Sequence, residues 1–401
     1  MFRQCGKMPD EDFFFYCVMR AMGEFESGRA FLQILSLKNN TLLPRTRFFS
    51  ALQSKRRGAV VRAMANEAFH AVEKQLALTG IDFFGNFPEL KEYALFNGDG
   101  HYIKHSAHTV PKKKKKYAAG TLYIQSLRAG SLIPLCSITD GDSKPHEMPL
   151  FKGVMEATDP FVFFGYKKVL HVLDMAYVNN RWWGEQKKRG YYVVTRLKKS
   201  AKPLKSGDLP FDRDDPINKG VKASYQAGMF CGYLFRVVEY TDPETGEAYS
   251  FVTNLENQIR PGLIAWLYFN RWKIEKNFDT TKNTMAEKKA WAKGKGALSI
   301  QSHAIAFAYN IMRLFHELIA HEQQEERENG ETLSEQKYRK ALIKRQEKAV
   351  KGGREIHPML LAKRITRLPS AFVRCFRFCF FDNLPIGKAW GLLTNTLYCP
   401  S

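Results

Sequence analysis

Tyr268-Phe-Asn-Arg271-Trp-Lys-Ile-Glu275-Lys-Asn-Phe-Asp-Thr-Thr-Lys282 reads as Tyr-x2-Arg-x3-Glu-x6-Lys. On an α-helix, offsets of three, seven and fourteen residues fall at about 300°, 340° and 320°, all close to the starting tyrosine. One narrow stripe then carries a phenol, a guanidinium, a carboxylate and an ammonium. Such a stripe can hold a metal ion and grip a phosphodiester together. Taken alone, the same residues also describe a surface helix whose Arg271 and Glu275 form an i,i+4 pair worth roughly a few tenths of a kcal/mol. Carboxylates upstream have to decide between the two.

Two aspartates are in the right kind of place. Tyr93–Asn97 reads as a strand entering the Asn-Gly-Asp-Gly segment that contains Asp99, and Lys168–Leu173 reads as a short apolar strand ending at Asp174. Three carboxylates drawn from distant chain positions are what two-metal phosphodiester chemistry needs, because Mg2+ is a hard ion that prefers oxygen donors. An aspartate at a strand end is, by itself, more often a turn former or a helix cap. Asp99 and Asp174 gain meaning only beside the Tyr268–Lys282 stripe. Asp140 and Asp142 are rivals for the first position, but Thr-Asp-Gly-Asp-Ser reads as a loop.

The stripe resembles the Y-R-E-K motif of the IS-four-like bacterial insertion-sequence transposases, whose Glu completes an Asp-Asp-Glu triad. The resemblance covers roughly residues 90–310. It implies an α/β fold: an RNase H-like core with an inserted β-rich subdomain, flanked by helical N- and C-terminal regions. Asp99, Asp174 and Glu275 are then the catalytic, metal-binding acids, served by Mg2+ with Mn2+ able to substitute. Asp174-Met-Ala-Tyr177 followed by a helix resembles the segment around the family's second acid, whereas Asp99-Gly-His departs from the Asp-Gly/Ser-Thr usual at the first. Tyr268, Arg271 and Lys282 are expected to contact DNA phosphates, with arginine able to do so bidentately. The implied reaction frees 3′ hydroxyls at the element ends and joins them to target DNA; in part of the family the hydroxyl first makes a hairpin with the opposite strand. Hairpin-forming relatives place an aromatic residue late in the β insertion, and Tyr249 is the nearest equivalent, with Phe251 and Tyr233 as substitutes.

Composition agrees with that partner. The net charge is +22, from 62 Lys+Arg against 40 Asp+Glu, and nucleic acid is the commonest polyanion bound by a basic globular chain. No run of about 18 apolar residues is present and the first ten residues lack an apolar signal core, so a soluble cytoplasmic protein of a bacterial or archaeal nucleoid is expected, without a membrane. Seven scattered cysteines without a C-x-x-C pair argue against a disulfide framework and a zinc knuckle.

Texture divides the 401 residues. Residues 1–90 read as a helical DNA-binding region, with a basic amphipathic helix over Phe48–Ala65 (Lys55, Arg56, Arg57, Arg62) and another over Ala68–Leu78. Residues 91–197 alternate strands and helices as the first part of the core, including a helix over His146–Ala157 and a strand over Tyr191–Leu197. Residues 198–252 read as the β-rich insertion, strand-like over Ala227–Tyr240 and turning at 241–246. Residues 253–310 return to the core, where Pro261 opens the motif helix. Residues 311–401 are read as helical. Two element ends have to be brought together, so a dimer on paired double-stranded DNA ends is expected, with Ile300–Ile319 and the charged segment after it as candidate contacts.

Other signals are weaker. His316-Glu-Leu-Ile-Ala-His321 has i,i+5 spacing, which turns the second histidine about 140° away from the first on a helix. His101, His105 and His108 do not share one strand face. Lys112–Lys116 reads equally as a solvated loop or a phosphate contact, and Trp272 as a core residue or a base-stacking one. A transposase-derived DNA-binding protein and an RNase H-like nuclease remain as alternatives; a tyrosine recombinase using Tyr268 is disfavoured by the neighbouring Glu275.

Overall fold

The computed structural model describes residues 8–322 with breaks, the longest at 41–44, 80–83, 105–118, 140–146 and 160–164, and scattered residues from 327 to 391. Lys112–Lys116, His105, His108, Asp140, Asp142, Trp272, the side chains of His316 and His321 and most of 311–401 lie outside the described residues. The N-terminal helices are α1 (Asp10–Met22), α2 (Gly28–Lys38), α3 (Arg45–Ala51) and α4 (Lys55–Thr79). Then come β1 (Tyr93–Ile103), β2 (Ala119–Ser126), β3 (Leu132–Thr139), α5 (Glu147–Glu156), β4 (Lys168–Leu173), α6 (Asn180–Gln186) and β5 (Tyr191–Arg196). β6 (Leu204–Asp208), β7 (Val221–Gly228), β8 (Leu234–Thr241) and β9 (Ala248–Thr253) follow, before α7 (Pro261–Asn270) and α8 (Lys295–Glu322).

The chain forms two compact units. One gathers Met1–Phe83, Tyr102–Ala119 and Lys276–Ser401; the other gathers Phe84–His101 and Gly120–Glu275. In the first, α8 packs along α4 and α1. Gly58 of α4 faces Ile300, and Phe14 meets Phe307 edge-on at 4.8 Å. Ala304, Ile305 and Ala308 are buried there, so this part of α8 turns its apolar face into the unit. The basic helix expected over Phe48–Ala65 is two helices. Ser54 breaks it by capping α4, accepting the Arg57 N–H at 3.3 Å, and α4 then runs on through the second expected helix. Arg56 and Arg57 both pair with the buried Asp10, so two of the four basic residues of that stretch hold α1.

The second unit is built on one nine-stranded sheet in the order β3-β2-β1-β4-β5-β9-β8-β7-β6. β1, β4 and β5 run parallel; together with β2 and β3 they give the RNase H-like core that the sequence led us to expect. The β-rich insertion joins the same sheet: β5 pairs antiparallel with β9, and β9, β8, β7 and β6 continue as an antiparallel meander. The single strand expected over Ala227–Tyr240 is two strands, with Gly232 at φ +79° between them.

Both faces of the core are covered. His171 of β4 is enclosed by Phe96, Phe151, Trp183 and Tyr191, bringing α5 and α6 onto one face. On the other face α7 crosses β4, β5, β7 and β8. Gly262 makes that crossing possible: a Cβ there would lie 1.7 Å from the Ile217 carbonyl oxygen, and its N–H donates to the Asn218 side chain at 2.9 Å. Among the described residues, no helix is long and apolar enough to cross a membrane.

Candidate active site at the ends of the parallel strands

Strand register builds the site. β1 pairs Gly98 with Leu173 of β4, so the next residues, Asp99 and Asp174, stand side by side, about 5 Å apart along the ladder direction. β4 pairs Val172 with Val194 of β5; two residues on, Asp174 is level with Arg196. Arg196 in turn pairs with Phe251 of β9. Because paired residues share a face, Asp99, Asp174, Arg196 and Phe251 form one row under α7. Arg196 was missed in the sequence; its signal was its position at the end of the expected Tyr191–Leu197 strand.

The local structure holds each acid differently. Asp174 caps a one-turn 3-10 helix at Met175–Tyr177, accepting the Met175 N–H at 2.7 Å. Asp99 accepts the Gly100 N–H at 2.8 Å. Burial pushes the Asp99 carboxyl up to about 6, and the negative charges of Glu147 and Glu275 add to the rise, against the Gly100 N–H and Arg271. Glu147, at the start of α5, is thus a further acid in the electrostatic reach of Asp99 that the sequence reading did not single out.

The motif is not one regular helix. α7 stops at Asn270, and the next turn tightens: Arg271 N–H donates to Tyr268 C=O at 3.0 Å, and Ile274 N–H to Arg271 C=O at 3.2 Å. Helical residues resume at Ile274 and Glu275. Arg271 turns inward, 5% exposed, with Nη1 3.8 Å from Asp99 and Nη2 3.5 Å from Glu275. The guanidinium therefore stands between the two carboxylates. Tyr268 is also buried, at 5% exposed, its ring 5.1 Å from that of Phe251. Its phenol is raised by burial and by Asp174, against Arg271 and Arg196. Lys282 is a half-buried helical residue of the first unit. Among the described residues, no group of three or more His, Cys, Asp or Glu side chains is arranged to hold a metal ion.

Tyr249 lies two residues before Phe251 on the same face of β9. Its ring stacks on Phe251 at 5.9 Å and meets Phe269 edge-on, and the Arg196 guanidinium lies 4.9 Å from its centre. Its hydroxyl donates to Glu247 at 2.7 Å.

The model of the transposase DDE domain family matches residues 98–311, more than half of the chain, starting beside Asp99 and running past Glu275. The chain belongs to the transposase DDE domain family. It is a DNA transposase by that membership, in a class that generally depends on divalent metal ions. No curated protein matches it. Among solved structures, the cryo-EM structure of the piggyBac transposase synaptic complex with hairpin DNA matches at 10% identity and a TM-score of 0.39, over 98% of this chain and 77% of that one.

Proposed function

We propose that this transposase cleaves the ends of an insertion element and joins the freed 3′ hydroxyls to target DNA at the site built by Asp99, Asp174 and Glu275. The observation that supports the reading is the β1–β4 register, whose last pair is Gly98 and Leu173: the residues after it are Asp99, still within β1, and Asp174, just past β4. Glu275 reaches the same place through the Arg271 guanidinium it shares with Asp99.

The donors suit a divalent ion. Three carboxylates are hard oxygen ligands, and Asp99 is crowded by Glu147 and Glu275, so a bound cation would relieve like-charge repulsion. Bound Mg2+, with Mn2+ as a substitute, supplies Lewis-acid stabilisation of the attacking and leaving oxygens. The protein's share is orientation and charge. Asp99, Asp174 and Glu275 would hold the ions, and Arg271, which stands between two of them, would contact a DNA phosphate. Arg196 and Lys282 add phosphate contacts, and the Tyr268 hydroxyl donates to a phosphate oxygen. The net charge of +22 supplies the long-range attraction for DNA. The working species is a dimer on paired terminal repeats. Residues 1–90 serve as the DNA-binding region and 311–401 as the C-terminal region, around a core of 91–197 and 253–310 with the 198–252 insertion.

Asp99→Asn, Asp174→Asn and Glu275→Gln should each abolish Mg2+-dependent cleavage of an end-containing duplex while leaving binding to it near wild type. Substantial cleavage by any one removes that residue from the site. Strand-transfer products from the wild type exclude a plain nuclease, and no cleavage at all leaves a DNA-binding protein. For second-strand cutting by a hairpin, Tyr249 is the proposed stacking surface for an unstacked base, since such stacking is worth about 1–3 kcal/mol. Tyr249→Ala should slow hairpin formation far more than first-strand nicking; equal loss of both steps makes it a structural residue of the sheet.

A further inference from the structure

Asn97 lies in the middle of β1, two residues before Asp99 and on the same face, and is 0% exposed. Its nearest neighbours along the row are apolar: Asn97 pairs with Val172, and Val172 with Val194, before the row reaches Thr253. A buried amide among valines costs stability unless its hydrogen bonds do something that an apolar residue cannot.

What this amide does is bind the backbone at the break in the motif. α7 ends at Asn270, where the last carbonyls of a helix lack partners within it. The Asn97 Nδ2–H donates to the Arg271 carbonyl at 3.0 Å. The same carbonyl accepts the Ile274 N–H at 3.2 Å. Both lone pairs of one oxygen are thus used, one by the tightened turn and one by β1. From that anchored residue the Arg271 side chain reaches Asp99 and Glu275, and Glu275 follows one residue after Ile274. A single side chain on the Asp99 strand therefore fixes where the helix stops and how the next turn leaves it.

We infer that Asn97 is a positioning residue for the carboxylate site: by holding the Arg271 carbonyl it sets the turn that places Arg271 and Glu275 against Asp99. The inference rests on the function proposed above. It goes beyond it by naming a residue that touches neither DNA nor metal and yet governs the geometry of the third acid.

The test is Asn97→Leu, which keeps the branched shape, adds some volume and removes the donor. Mn2+ affinity of the protein on an end duplex is read by electron paramagnetic resonance, beside cleavage at saturating Mg2+, duplex affinity and melting temperature. A misplaced ligand should weaken Mn2+ binding by about tenfold and slow metal-saturated cleavage by about tenfold to a hundredfold, with duplex affinity within about twofold of wild type. A role in folding alone would lower the melting temperature and leave the metal affinity and metal-saturated rate unchanged; that result overturns the inference. If Asn97→Leu does not fold, Asn97→Ala, which also lacks the donor, decides by the same readings. Glu275→Gln measured in parallel separates the two claims. Normal cleavage by Glu275→Gln removes the site assignment itself, whereas an inactive Glu275→Gln beside a wild-type-like Asn97→Leu removes only the role of Asn97.

Discussion

The parallel ladder of β1, β4 and β5 carries a half-buried carboxylate at each end, and the two ends are built on opposite terms. At their start, Glu256 accepts from the hydroxyls of Tyr93 on β1 and Tyr192 on β5, the latter at 2.8 Å, with Lys168 of β4 3.9 Å away. Burial would raise the Glu256 carboxyl, but the two hydroxyls and Lys168 outweigh it and hold it below the usual range. At their finish, burial dominates at Asp99, further acids add to it, and the carboxyl rises to about 6. One end has enough donors for its negative charge and serves the fold. The other has too few, and that shortfall is what a cation would fill.

The comparison breaks first at Asp99. Asp99→Asn should lower cleavage on the order of a thousandfold or more and, in metal-free buffer, make the fold more stable at neutral pH. The sign follows from proton binding. With its folded value near 6, above the ordinary 3.8, Asp99 keeps a proton in the folded state that the unfolded state has released. Its contribution to stability therefore falls as pH rises from about 4 to above 6, and the amide removes that loss. The gain should be on the order of 1–3 kcal/mol by urea unfolding at pH 7.5 and should fade towards pH 4. A variant that is inactive and also less stable at neutral pH would contradict the idea of an acid kept at a cost to the fold.

Glu256→Gln should do the reverse. Chemistry at the far end of the strands is untouched, so cleavage per folded molecule stays at the wild-type level, while stability drops by about 1–3 kcal/mol for a mismatched buried acceptor. Here the folded value is depressed, so the wild-type contribution is present above the unfolded value near 4.5 and disappears as pH falls below it. The difference between wild type and variant should therefore shrink in acid, as at Asp99, but with the opposite sign: a loss of stability where Asp99→Asn gives a gain. Loss of activity without loss of stability would mean that Glu256 takes part in the reaction.

The parts of this molecule that the sequence discloses are those where one residue type in one place has few physical uses. An apolar run ending in Asp174 survives as β4 and the turn that Asp174 caps, whereas the single helix read across the Tyr-Arg-Glu-Lys spacing does not, because α7 stops at Asn270. Pro261 opens α7 as its fixed φ requires. The insertion was readable as β-rich, but not as an extension of the core sheet, because the edge to which β9 adds is a property of β5's partners and not of β9's own residues. The break at Arg271 was hidden for a related reason. Helical periodicity across Tyr268–Lys282 has no proline or glycine to interrupt it, and the cause of the tightening lies on another element, in Asn97. The burial of Tyr268 and Arg271 was likewise invisible, since polar groups that suggest a DNA-facing surface turn inward at these two residues.

Arg196 gives the smallest and most diagnostic effect, because it lies on the row between the acids and the aromatic cluster. Its guanidinium rests on the Tyr249 ring, and its charge is felt by Tyr268. If it meets a DNA phosphate, Arg196→Ala should weaken end binding by about fivefold and reduce the slope of log affinity against log salt by about one, uniformly across end sequences. Arg196→Lys separates charge from stacking. A lysine keeps the positive charge and so the salt slope, but it lacks the planar face that lies on Tyr249, and hairpin formation should then fall while binding is retained. An unchanged salt slope in Arg196→Ala would mean that the arginine serves only to hold Tyr249 against the sheet. The row of functional groups at the strand ends would then stop at Asp174.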